Sequence, residues 1–213
     1  MVGATNEYTF TFACAFKPIV WTGVFITTTN SDPDKEGIII DFSSGILQVI
    51  MKDEIGEINS YLKQSSATPT INLSVWHTLI ISADTRFSNQ MSCYINGINV
   101  PLVWLERIGV PILFDFPEAT IGENSTFELI GDYGFMYLNN HYTDFSDKLE
   151  RLKYFDIFGY PTDIKQEIAL GNVPDPLVLM LMENQNDYGI NSGTGGNFVT
   201  QGGYIAGEDI KAG

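Results

Sequence analysis

Apolar and polar side chains alternate with a period of two along much of this chain, the spacing of strands that bury one face. Over residues 8–16, Tyr8, Phe10, Phe12, Cys14 and Phe16 fall on one face and Thr9, Thr11, Ala13 and Ala15 on the other. Residues 76–84 and 91–97 repeat the pattern. Leu79 and Ile81 share a face, as do Met91, Cys93 and Ile95, while Ser92 points away. A polar turn joins this pair, and the second run ends in Asn96-Gly97, a dipeptide suited to a tight turn.

Further strands are predicted at 24–29, at 38–42 and 46–52 as a hairpin around Ser43-Ser44-Gly45, and at 58–63. Shorter ones are predicted at 102–105 and 112–116. Residues 127–138 read as a strand interrupted by Gly131 and Gly134, which points to a bulge or a close backbone approach. Residues 176–182 are a buried apolar run. One helix is predicted over about 146–155. Ser146 is its expected N-cap, and Leu149, Leu152 and Phe155 are spaced to dock on the sheet. Residues 156–163, with Gly159 and Pro161, read as a tight turn. The expected fold is therefore all-β: a two-sheet antiparallel jelly-roll sandwich with one short C-terminal helix. It would occupy 1–183 as a single domain, followed by a Gly/Asn-rich extension, 184–213.

A length of 213 residues suits one large sandwich. The formal net charge of -15 argues against nucleic acid, which needs clustered Lys and Arg, and against anionic membrane surfaces. No apolar stretch has the length of a membrane-spanning helix, and the first residues lack the basic and apolar regions of a signal peptide. Cys14 and Cys93 each sit in an apolar run and read as reduced core thiols, although spacing alone leaves a bridge open.

Catalytic chemistry is sparse. The stretch Asp53-Glu54-Ile55-Gly56-Glu57 lacks the alternation that presents two carboxylates on one strand face, so Glu54 and Glu57 do not form an acid–nucleophile pair. The two histidines, His77 and His141, have no nucleophile motif beside them, and no zinc spacing or phosphate loop is present. The loop carboxylates Asp32, Asp34 and Glu36 offer hard oxygen ligands of the kind calcium takes, but the EF-hand spacing fails and a solvated acidic turn is the simpler reading. No other cofactor is expected. Saccharide binding needs exposed aromatic platforms beside polar loops. Trp21, Trp104, Tyr133 and Tyr188 are candidates, with Asn186 beside Tyr188 in the polar loop.

The pattern formed by Trp76, His77, Tyr94, Asn96 and Gly97 resembles the laminin-G-like branch of the concanavalin A-like lectin/glucanase superfamily. So do Lys17-Pro18 after the first strand, Ile121-Gly122, and residues 130–134. The C-terminal third resembles virion proteins of tailed bacteriophages that carry this domain. The matching residues include Tyr137, Tyr142, Asp144, Ser146, Asp147, Phe155, Gly159, Pro161 and Asp163, and then Gly193-Thr194-Gly195-Gly196 with Phe198. The resemblance implies a non-catalytic structural component of a phage head or tail, assembled in the host cytoplasm into the virion. Its partners would be other virion proteins and further copies of itself, with Phe198 and Tyr204 of the tail as contacts. The alternative is a carbohydrate-binding module that attaches the particle to a host surface glycan. A glycoside hydrolase is the third and weakest reading.

Overall fold

The computed structural model describes residues 5–19, 23–29, 36–43, 45–53, 57–65, 71–114, 118–121, 131–181 and 191–194. Among these residues the chain forms two six-stranded antiparallel sheets. In spatial order the first contains β12 (Val178–Leu181), β11 (Gly131–Asn139), β1 (Thr9–Pro18), β6 (His77–Asp84), β7 (Met91–Ile95) and β8 (Ile98–Asn99). The second contains β10 (Glu118–Ile121), β2 (Gly23–Thr29), β3 (Glu36–Ser43), β4 (Ile46–Lys52), β5 (Ile58–Gln64) and β9 (Leu102–Arg107).

The period-two alternation explains the packing. Phe10, Phe12, Cys14 and Phe16 of β1 join Leu79 and Ile81 of β6 in the main core, against Ile38, Ile40, Phe42, Leu47 and Val49 of the opposing sheet. Cys14 and Cys93 are both free and buried in this core, and burial pushes both thiols up, so they act as small apolar side chains. The expected irregularity in β11 is present at both glycines. The β1–β11 register slips at Gly134 as Ala15 pairs with Phe135 and Phe16 with Tyr133. At Gly131 a Cβ would lie 2.4 Å from the Lys17 carbonyl oxygen, so only glycine allows the two backbones to approach.

The outer face of the first sheet carries a third layer that strand alternation did not reveal. Ala13 and Ala15 are small enough to admit the aromatic rings of the segment that follows β11. Phe135 meets Phe155 edge-on at 5.5 Å, Tyr137 meets Tyr154 at 5.2 Å, and Phe145 meets Tyr154 at 5.4 Å. Polar positions on the same face fasten the backbone of this cap. Thr9 Oγ1 donates to the Asn140 carbonyl, Thr11 Oγ1 to that of His141, and Ser82 Oγ accepts from the Thr143 N–H.

The cap also corrects the predicted helix. Instead of one helix over 146–155 there is a single turn, α1 (Lys148–Arg151), capped by the Asp147 carboxylate rather than by Ser146. A second short helix, α2 (Ile164–Ala169), is capped by Asp163. Leu149 does not dock on the sheet; it is 69% exposed. The physical reason is tertiary. Tyr154 and Phe155 must reach Tyr137 and Phe135, so the chain leaves helical geometry after Arg151 and folds back, Phe155 bridging to Pro161. A segment this short has too little helix propagation to resist. Likewise the strand predicted at 112–116 reduces to one bridge between Ile112 and Glu7, with Phe114 buried; residues 115 and 116 lie outside the described part.

Strand edges are managed locally. Asn191 seals β12: its Oδ1 accepts from the N–H groups of Leu179 and Gly193, and its Nδ2 donates to the Leu177 carbonyl. Part of the segment read as an extension is therefore stitched to the sandwich. At the far edge of the other sheet, β9 is kinked by a register slip that leaves Leu105 without an opposite residue on β5.

At the end of β6, buried Asp84 receives Nε and Nη2 of Arg86 at 2.9 and 2.6 Å, and also the Arg86 backbone N–H. Burial acts to raise this carboxyl, but the Arg86 hydrogen bonds and charge outweigh it and hold the pKa below its ordinary value. The stability so contributed is present above the unfolded carboxylate pKa and is lost as pH falls through the lower folded value. Asp84→Asn is therefore expected to lower the thermal midpoint at neutral pH, and the deficit should shrink as the pH drops below about 4. Thermal melts across this range check it.

Candidate functional site

Two groove walls meet where the cap crosses the first sheet. The sheet-side wall is built on a hydrogen-bonded clasp. The Ile95-Asn96-Gly97-Ile98 turn holds Asn96 and Gly97 at φ of 50° and 73°, the left-handed geometry that a tight hairpin requires. This turn places the Asn96 side chain back against β6. Its Oδ1 accepts from the Thr78 N–H at 2.9 Å, and its Nδ2 donates to His77 Nδ1 at 2.8 Å. The opposite ring nitrogen, Nε2, donates to the Asn72 carbonyl at 2.9 Å. His77, only 3% exposed, thus ties the loop 71–76 to the hairpin turn. The Trp-His and Asn-Gly halves of the sequence pattern are two ends of one structural clasp.

The cap-side wall is α1 and the turn after it. Arg151 lies over the Tyr94 ring, 4.2 Å from its centroid, and Nη1 donates to the carbonyls of Phe145 and Ser146. One oxygen of Asp156 accepts from the N–H groups of Phe158 and Tyr160, which fixes the turn that displays residues 157 and 158. As a result Ile157 and Phe158 are 70% and 72% exposed. Between the walls is a groove of about 480 Å³, with half-buried Trp76, Tyr160 and Leu152 as floor and sides, Phe158 at the rim, and Asn72, Asn96, Lys148 and Arg151 supplying polar groups.

A second depression lies on the other side of α1 and is acidic: Asp144, Asp147, Glu150 and Asp175 line it. Three of these have local work. Asp144 accepts from the Ser146 N–H, Asp147 from that of Leu149, and Glu150 pairs with Lys153 at 2.6 Å. Among the described residues no three His, Cys, Asp or Glu side chains cluster as a metal would need.

Of the site residues expected from sequence, Tyr133 is described. It sits on β11 with its ring packed against the main core, and burial pushes its phenol well up, so it is not displayed as an open platform. Trp104 is likewise half-buried against the core. Glu36 opens β3. Trp21, Asp32, Asp34, Asn186, Tyr188, Phe198 and Tyr204 lie outside the described residues, as does Glu54. Glu57 is exposed, and its N–H is bound by Asp53. His141 lies in the connection between β11 and the cap, its N–H held by Asn139 Oδ1. The groove itself was missed. Its sequence signal is Ile157-Phe158 between Asp156 and Gly159, two large apolar residues inside a turn where neither has a strand or helix face to occupy.

No family model and no curated protein matches the chain. Among solved structures it is similar to the heptameric SAP-like pentraxin from Limulus polyphemus, with 16% identity, a TM-score of 0.41, and coverage of 67% of this chain and 69% of that one. It is similar to domains LG4-5 of the mouse laminin α1 chain, with 10% identity, a TM-score of 0.46, and coverage of 66% of this chain but 38% of that one. A third is the CBM40 of the Ruminococcus gnavus IT-sialidase bound to α2,6 sialyllactose, with 12% identity, a TM-score of 0.47, and coverage of 66% and 81%. At these identities and scores no assignment of ligand or residue is transferred from them.

Proposed function

We propose that this protein is a non-catalytic saccharide-binding β-sandwich whose ligand lies in the groove between the β6–β7 edge and the cap. The observation that carries this reading is Phe158, held exposed by a hydrogen-bonded turn at the rim of a concave surface rich in amide, hydroxyl and charged groups. A pyranose ring has one apolar face and a belt of hydroxyls. The first suits an aromatic platform such as Phe158 or Trp76; the second suits Asn72, Tyr160 and Lys148. Groove rigidity favours binding, because the His77 clasp and the Asp156 turn order both walls before a ligand arrives.

Phe158→Ala is expected to weaken saccharide binding by about tenfold or more while leaving the thermal midpoint unchanged, since the ring makes no core contacts to lose. Glycan-array screening followed by calorimetry on the native chain and the variant tests this. Equal affinity in both would remove the groove from consideration.

A second reading, a virion component working through subunit contacts, is supported by the C-terminal resemblance and by exposed Leu149 and Leu170 on the cap. A particle imaged with this chain in its head or tail would establish it, and it is compatible with saccharide binding by the same molecule.

A further inference from the structure

Charge is not spread evenly around α1. Asp147 and Glu150 face the acidic depression, whereas Lys148 and Arg151, one residue on from each, face the groove. Among the described residues the groove therefore has two cations against one carboxylate, Asp156, whose Oδ1 is already occupied by two backbone N–H groups. This positive spot stands on a chain of net charge -15. Among the described residues neither Lys148 nor Arg151 has a carboxylate partner. Arg151 is held in place by carbonyls and the Tyr94 ring through one face and Nη1, which leaves its remaining donors for a ligand.

We propose that the groove takes an anionic saccharide, one bearing a carboxylate or a sulfate, with Lys148 and Arg151 holding the anion while the sugar ring packs on Phe158. This rests on the saccharide-binding reading above and narrows its ligand class. A fixed guanidinium edge beside a mobile ammonium presents several N–H donors to oxyanion oxygens, and charge-assisted hydrogen bonds of this kind are the strong ones. The surrounding negative potential repels anions elsewhere on the surface and so confines them to this spot.

The test compares matched oligosaccharides, neutral, carboxylated and sulfated, by calorimetry on the whole chain and on Lys148→Glu. Lys148 is exposed and outside the core, so this substitution is expected to keep the thermal midpoint. The acidic ligands should bind at least about tenfold more tightly than the neutral one, and Lys148→Glu should erase that preference. Raising NaCl from about 20 mM to about 500 mM should weaken the acidic ligands selectively. The carboxylated and sulfated arms identify which anion the site reads. Neutral sugars bound as tightly as acidic ones, or an acidic preference unaffected by Lys148→Glu, would overturn the anion assignment and leave saccharide binding standing. Failure of every saccharide to bind would overturn both.

Discussion

Phe145→Ala is expected to destabilise the protein by about 3–5 kcal/mol and to abolish binding in the groove. Phe145 is fully buried between the outer face of the first sheet and the cap, edge-on to Tyr154. Its N–H is bound by Ser92 Oγ, and its carbonyl receives Arg151 Nη1. Truncation removes a ring that packs edge-on to Tyr154 in a cluster with Tyr137 and Ala13, and because those two are held by strand backbone the gap closes incompletely, so the cavity term adds to the lost burial. Loosening Tyr154 and Arg151 then displaces the cap-side wall. The stability loss is read from urea unfolding, and loss of the ordered cap from faster amide exchange over 145–175 than over β1 and β6. A variant as stable as the native chain would mean that the third layer contributes little.

His77→Ala is expected to cost about 2–3 kcal/mol, the result of two lost hydrogen bonds and a small cavity beside Phe16. The Asn96 amide and the Asn72 carbonyl lose their shared partner, so the loop 71–76 and the hairpin turn separate. A double-mutant cycle with Asn96→Gly, which preserves the left-handed turn while deleting the amide, isolates the pair. The two changes should be less than additive by at least about 0.5 kcal/mol. Additivity would show that the imidazole acts through packing alone. Because the clasp forms the sheet-side wall, His77→Ala should also weaken saccharide binding.

Strand positions were legible wherever one face meets the main core. Phe10 to Phe16, Leu79 to Ala83 and Met91 to Ile95 announce themselves because period two is the only spacing that sends alternate side chains to one side. Gly131 and Gly134 were legible for the complementary reason, since a strand has no use for glycine unless backbones crowd or a residue bulges. The cap was not legible. Its key positions are Thr9, Thr11, Ala13 and Ala15, which look like an ordinary solvent face until Tyr154 and Phe155 arrive from 140 residues away. Helical spacing of Leu149, Leu152 and Phe155 misled for the same reason. Local periodicity reports a preference of about tenths of a kcal/mol per residue, and burial of two aromatic rings outweighs it.

By itself the amino-acid sequence determined that this chain is an antiparallel β-sandwich with an aromatic-rich core and a strongly acidic balance of charge, because hydrophobic alternation and charge are properties of the string of residues. Only the tertiary structure decided that a third layer covers one sheet, that His77 and Asn96 are a clasp, and that Trp76, Lys148, Arg151 and Phe158 line one groove. Those residues are scattered over 83 positions, from 76 to 158. Their meeting depends on where a turn lets Phe155 bury and forces Phe158 out, a competition between side chains distant in sequence.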